Sequence, residues 1–431
     1  MSDVKKAAGT AAEYLKEDGA DRYSVSVSEN EKDELNYSDR FDLLRTTFGQ
    51  EMNIRAFVGK KMGSAKGNDL SDSGIRALVQ TALASARAAQ EDDANGIAPD
   101  AGKHSFTEGP QTGNMDSLYD ATNSYVKKVA ERYPQIVMNG LYSSYDRVHS
   151  LYMNSNGTEF ETRNGSYSIV SMFAANNGSK TTSLNYAMLT TADLGTPFAD
   201  LPAVKRCLEA SVSSLTTVPL KEKFTGTAVL TPDMACRFIA DLIGNYLAGS
   251  SLVEGTSQWK DKMGCQVTDE KFTLRLDPAD SRIVNGQKVT ADGFAAEAVT
   301  LIDKGVLKRY FADLYSAKKA GVEPTRNDGS GLIVEAGSTP LAEMISSVSR
   351  GILLGGFSGG EIRANGDFSG VAKNSFLIEN GKVTGAASEV MVNGNLGFIF
   401  NNIKSVSRET EESGDYSVPY ICVDGVTVTG K

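Results

Sequence analysis

The chain has 431 residues, enough for two or three domains with sizeable cores. Hydrophobic residues make up 40% and charged residues 23%, an ordinary composition for a folded soluble protein. With 44 Lys and Arg against 54 Asp and Glu, its formal charge of −10 repels phosphate backbones, so direct binding to DNA or RNA is not expected.

The first twenty residues, MSDVKKAAGTAAEYLKEDGA, alternate charge with small apolar residues and predict an amphipathic helix over about 3–18, not a signal peptide. The alternating stretches DRYSVSVSE and MNIRAFVG then read as strands. Ser71 and Ser73 offer N-caps to an alanine-rich helix over 71–90. A further helix is expected over 114–132. In SLYMNSNGTEFET, Asn156-Gly157 between alternating runs signals a hairpin, and SYSIVSMFAAN continues as strand. A helix over 200–214 closes the first half, which reads as α+β: helices packed on a mostly antiparallel sheet.

Proline and charges in TVPLKEKFTG (217–226) mark a boundary, giving an N-terminal α+β domain over 1–220 and a β-rich domain over 221–431. The second half opens with a helix over 232–247 and turns strand-rich and glycine-rich. Tight turns are expected at Lys304-Gly305 and Asn380-Gly381. No run of about 18 apolar residues occurs, so no membrane span is expected. Cys207, Cys236, Cys265 and Cys422 lie far apart without a CxxC pair, as buried or idle thiols in a reducing, cytoplasmic compartment would.

A catalytic set is not visible from residue chemistry. The only two histidines are His104, in a polar loop, and His149, on a strand, in no HxxxH or HExxH spacing. No GxSxG elbow is present, and the histidine shortage works against Ser and Cys nucleophiles alike. GGFSGGEIRANGDFSG (355–370) lacks the phosphate-loop pattern and precedes a strand rather than a helix. It reads as irregular turns where backbone runs close to backbone or to a bound peptide. The acidic run ETEESGD (409–415) reads as a solvated face, and Trp259 as a core or groove anchor.

The landmarks EGTS (254–257), DGFAAEAVTLIDKGVLKRYFADLYSAKKAG (292–321), GDFSGVAKNSFLIENGKVTG (366–385), VNGNLGFIFNNIKSVS (392–407) and YSVPYICVDGVTVTGK (416–431) occur in the order of the TldD/PmbA family, labelled modulators of DNA gyrase, which the second half resembles. The first half agrees more loosely, through MNIRAFVGKKMGSAKGNDLS (52–71). The resemblance implies an α+β N-terminal domain, a β-rich C-terminal domain and a dimer across the latter. It also implies two kinds of member. TldD-type members carry an HExxxH helix that, with a later cysteine, forms a zinc peptidase site; PmbA-type members, also called TldE, lack those ligands and pair with a TldD-type subunit.

Anchored on Gly244 and Gly255-Thr256-Ser257, the family frame puts the first ligand position at Ala240, the general base at Asp241 and the second ligand at Asn245. The cysteine position falls near Glu411, and Cys422 does not match it. A methyl group has no lone pair and an amide oxygen is a weak zinc ligand. The resemblance therefore implies a non-catalytic subunit without a cofactor, any zinc belonging to a TldD-type partner, and homodimers when the chain is alone. An extended peptide substrate is expected against Gly355, Gly356, Gly359, Gly360, Gly366, Asp367, Ser369 and Gly370, adding as a strand at the edges over 374–379. Two rivals differ in class. One is a self-sufficient hydrolase whose metal is held by carboxylates or by Cys236 with Asp241; the other is a gyrase-binding protein without proteolysis.

Overall fold

A computed structural model describes residues 4–38, 40–360, 362–388 and 390–430. The first half builds one sheet from β1 (Arg22–Tyr37), β2 (Phe41–Val58), β3 (Lys61–Gly67), β4 (Lys103–Glu108), β5 (Ile136–Asn154), β6 (Glu159–Ala175) and β7 (Asn185–Thr191). Their order is β3-β2-β1-β5-β6-β4, with β7 also on β6; every pair is antiparallel except β4 with β6. Alternation sets the faces. Val25, Val27 and Leu35 on β1 and Leu141 and Leu151 on β5 are buried on one side.

Four helices cover that side. α1 (Val4–Glu17) and α2 (Asp72–Ala88) seal one end through Ala8, Ala11, Leu15, Val79 and Leu83. α3 (Met115–Arg132) and α4 (Pro202–Ser213) seal the other through Tyr125, Val129, Val204 and Leu208. Ser71 caps α2 as its sequence predicts, its Oγ accepting from the Gly74 amide at 3.2 Å. His104, expected in a loop, lies instead on β4, its ring 5.0 Å from that of Phe160. The short run KHSFTE carries too little alternation to announce a strand; its partner β6 dictates it.

The second half forms a fourteen-stranded mixed sheet. Its strands are β8 (Thr217–Val218), β9 (Phe224–Leu230), β10 (Leu274–Leu276), β11 (Val299–Asp303), β12 (Val306–Leu307), β13 (Leu332–Val334), β14 (Arg350–Leu354), β15 (Gly356–Ser358), β16 (Asp367–Lys373), β17 (Phe376–Glu379), β18 (Lys382–Ala387), β19 (Met391–Asn395), β20 (Ile403–Glu412) and β21 (Tyr416–Thr429). β21 is its hub, pairing with β9, β13, β19 and β20. The turns at Lys304-Gly305 and Asn380-Gly381 have positive φ at both residues, as two-residue hairpins require. Short helices α6 (Gly249–Glu254), α7 (Leu314–Ala320), α8 (Leu341–Ser346) and α9 (Leu396–Asn401) punctuate the strands, after the longer α5 (Pro232–Leu242).

α5 buries Met234, Ala235, Phe238, Ile239 and Leu242 in a core shared with Val418, Ile421 and Val423 of β21. β17 is paired on both sides, by β14 and by β18, so the edge expected over 374–379 for an added peptide strand does not exist. A strand with both ladders filled has no backbone groups left to offer. Among the described residues no helix is long and apolar enough to cross a membrane.

Candidate functional site

α5 continues without a break into a π-helical turn, Ile243–Leu247, closed by the Ala248 amide donating 2.7 Å to the carbonyl of Ile243, five residues back. On a regular α-helix, residues five apart point about 140° away from each other. A turn widened to i→i+5 bonding brings such residues toward one face, and π turns recur at functional sites for that reason. Ala240, in α5, and Asn245, in the π turn, are five apart and straddle the point where the helix widens.

The widened turn frees carbonyls, and the following segment satisfies them. Ser251 donates to the Gly244 carbonyl at 2.7 Å, and buried Ser257 donates to that of Tyr246 at 2.6 Å. Ser257 Oγ also accepts from the Trp259 amide at 3.1 Å, which seats the indole 4.7 Å from the Tyr246 ring. Trp259 is thus a core anchor, as expected. Gly255 ends α6 in the left-handed conformation at φ 73°. The EGTS landmark therefore reads physically as a brace for the turn.

What the turn presents is chemically sparse. Ala240 is exposed, while Asp241 and Asn245 are half-buried. Burial pushes the Asp241 carboxyl above its ordinary range, with the Arg237 guanidinium partly opposing it. Glu411 is elsewhere occupied. It lies on β20 opposite Val418, 3% exposed, gripped by Arg206 of α4 through Nε at 2.7 Å and Nη2 at 2.8 Å. Tyr420 donates to it at 3.1 Å; Arg206 also reaches Asp233 at 2.5 Å, and Asp233 accepts from Tyr416 at 3.0 Å.

The 409–415 run is therefore not uniformly a solvated face. β20 is irregular, with register shifts against β21, and buries Ile403, Val406, Ser407 and Glu411. Sequence reasoning missed Arg206, Asp233, Tyr416 and Tyr420. The only signal was an arginine and an acid in otherwise apolar-patterned segments, 205 residues apart.

The glycine-rich segment packs directly against α5 and the π turn. Phe357 and Phe368 flank Phe238 with ring centroids at 5.8 and 4.8 Å, and Arg237 donates to the Phe357 carbonyl at 2.8 Å. Tyr246 Oη donates to the Asn365 carbonyl at 3.0 Å, which also accepts from Asn395 at 2.9 Å. Asp367 accepts from Asn365 at 2.7 Å and from Asn395 at 2.9 Å. Gly366, at φ +86°, has its missing Cβ only 1.8 Å from Tyr246 Oη, so no other residue fits.

Gly355, Gly360 and Gly370 are likewise pressed against the chain itself, at Asn374, Ser369 and Phe357. Gly356 pairs with Lys373 in the β15–β16 ladder. Gly359, Asp367 and Ser369 face solvent beside this assembly. The structure thus brings the degenerate motif and the glycine-rich residues together, and leaves Glu411 in its own ionic cluster.

Zinc, which the resemblance implies for one kind of member, does not fit this donor set. Ala240 has no donor atom, Asn245 offers a carboxamide, and both Glu411 oxygens are engaged by Arg206. The alternative donors fare no better: burial pushes the Cys236 thiol up to about 11, away from the thiolate that metals bind. Among the described residues, no three His, Cys, Asp or Glu side chains are grouped so as to hold a metal ion.

The PmbA/TldA metallopeptidase C-terminal domain matches residues 224–430, and domain 1 of the same family matches residues 38–86. A protein named Metalloprotease PmbA homolog from Haemophilus influenzae is 23% identical, the match covering 100% of this chain and 96% of that one. The fold matches TldE from Thermococcus kodakarensis with a TM-score of 0.84 at 20% identity, over 99% of both chains. It also matches a proposed modulator of DNA gyrase from Bacteroides thetaiotaomicron with a TM-score of 0.86 at 24% identity, again over 99% of both. The chain belongs to the PmbA/TldD metallopeptidase family, as a PmbA/TldE-like member.

Proposed function

We propose that this chain is the non-catalytic subunit of a TldD/TldE-type metallopeptidase system, contributing wall and dimer contacts to a chamber that receives extended peptides. One observation carries the reading. The π turn is built and braced as a ligand-bearing turn would be, yet it presents a methyl group, a carboxylate and a carboxamide. The scaffold is retained without the two imidazoles and the thiolate of the zinc site that the resemblance implies. Gly359, Asp367 and Ser369, exposed next to the turn, are the proposed peptide contacts, and the chain is proposed to divide into domains 1–220 and 221–431, with β8 of the second sheet lying just before the boundary. A cytoplasmic setting suits a chain whose cysteines are spread and free.

The test combines this chain with a histidine-bearing TldD-type homologue, with metal content, association and peptide cleavage measured for each alone and for the mixture. The expected outcome is no zinc and no cleavage for this chain alone, a stable heteromer on mixing, and chelator-sensitive cleavage that depends on both. Stoichiometric zinc and chelator-sensitive cleavage from the isolated chain would instead establish the self-sufficient hydrolase. Co-purification with gyrase but not with the homologue would establish the binding-protein alternative.

A further inference from the structure

An open groove of about 800 Å³ is bordered by α6, the segment after it, the 308–310 stretch and the end of α7. Its floor is apolar. Leu252 is buried there, while Val253 and Met263 remain 45% and 44% exposed, with Val322 completing the strip. Exposed apolar side chains grouped in a concave site mark a binding surface more often than scattered ones do.

The rim carries four cations, on a protein whose formal charge is −10. Lys260, Lys308, Arg309 and Lys319 face two acids, Asp261 and Glu323. Lys319 is engaged by Asp92 at 2.7 Å, and Lys308 lies 3.9 Å from Asp303. Lys260 and Arg309 have no ion pair among the described residues. The Tyr310 hydroxyl is spent, donating to the Trp259 carbonyl at 2.6 Å and accepting from the Lys262 amide at 3.2 Å.

We propose that this groove binds the free C-terminal end of a peptide, its terminal carboxylate on Arg309 and Lys260 and its last apolar side chains on Val253, Met263 and Val322. An arginine fork matches a planar carboxylate in two parallel hydrogen bonds. The apolar floor disfavours a bare phosphate, and the two cations left without an ion pair among the described residues, Lys260 and Arg309, suit a carboxylate. The volume lies in the range that holds a drug-sized ligand, about the bulk of a few residues. The inference rests on the peptide-handling reading for its choice of a peptide, and reaches beyond it in naming a second site and the end of the chain it grips.

The test uses the full chain and a fluorescent pentapeptide ending in Leu, as free acid and as C-terminal amide, followed by anisotropy, with octanoate as competitor. The acid is expected to bind at least about 10-fold more tightly than the amide. Arg309→Gln should remove that preference and leave amide binding unchanged, while Met263→Asp should weaken both forms, with circular dichroism showing that each variant folds. Equal binding of acid and amide, or binding of neither, would overturn the proposal. Octanoate binding more tightly than the peptide would overturn it in favour of a lipid-like anion. Acid-selective binding by a chain that does not join a TldD-type subunit would leave this site standing and sink the subunit assignment; the converse result would do the reverse.

Discussion

Arg206 bonds two carboxylates and is itself only 18% exposed, so removing its charge leaves Glu411 buried and uncompensated. Arg206→Leu is expected to cost about 3–5 kcal/mol, read as a fall in the urea midpoint, whereas Arg206→Leu with Glu411→Leu should recover a large part of it. No recovery in the double variant would mean that the pair's packing, not its charge balance, holds the contact. Asp241 gives a prediction of opposite sign. Because burial raises its folded pKa, the group favours the fold most when protonated and progressively opposes it as pH rises through that value. Asp241→Asn should therefore stabilise the protein at pH 7 by about 0.5–1 kcal/mol, the smaller end reflecting access of solvent and the nearby Arg237. The gain should vanish below the ordinary carboxylate pKa; melting temperatures at pH 7 and pH 3.5 decide it.

At the scale of elements, the brace around the π turn matters more than any single contact on its surface. Ser257→Ala strands the Tyr246 carbonyl and loosens Trp259, and is expected to cost about 1–3 kcal/mol with a visible change in tryptophan fluorescence. Unchanged fluorescence would show that the indole is held by packing alone. This level also shows what could be read in advance. The five long helices and the turns at Asn156-Gly157, Lys304-Gly305 and Asn380-Gly381 announce themselves through local period and turn chemistry. Ala240 and Asn245 are legible as residue types wherever they fold. The π bonding was not legible, because it depends on Ser251 and Ser257 reaching back to carbonyls. Nor was the filling of both edges of β17: the Asn380-Gly381 turn supplies β18, but the other partner, β14, comes from before the glycine-rich segment. The role of Glu411 was hidden for the same reason: its partner arrives from another half of the chain.

For the whole molecule, the two sheets meet through polar contacts at several separate places. Arg55 pairs with Asp292 at 3.0 Å and also donates to the Ala291 carbonyl; Lys319 pairs with Asp92 at 2.7 Å, and Lys288 with Glu108. The Thr190 amide donates to the Ser413 carbonyl at 2.9 Å, close to where Arg206 meets Glu411. These pairs are partly buried, Asp292 most of all, so salt weakens them less than it would fully exposed pairs. Replacing Arg55, Lys288 and Lys319 together by Ala should split the calorimetric unfolding endotherm in two and lower its first component by about 4 °C. A single sharp endotherm in the triple variant would show that the halves are coupled by other means.

The clamp on Glu411 also limits how this protein could be re-equipped. Histidines at 240 and 245 would sit on positions with solvent beside them and would be accommodated one at a time. A cysteine at 411 would not, since the same exchange removes the two carboxylate oxygens that grip Arg206 across the join between the halves. Regaining a three-donor cage thus requires dismantling a seam first, so the missing ligands are cheap to replace at one end of the motif and structurally mortgaged at the other.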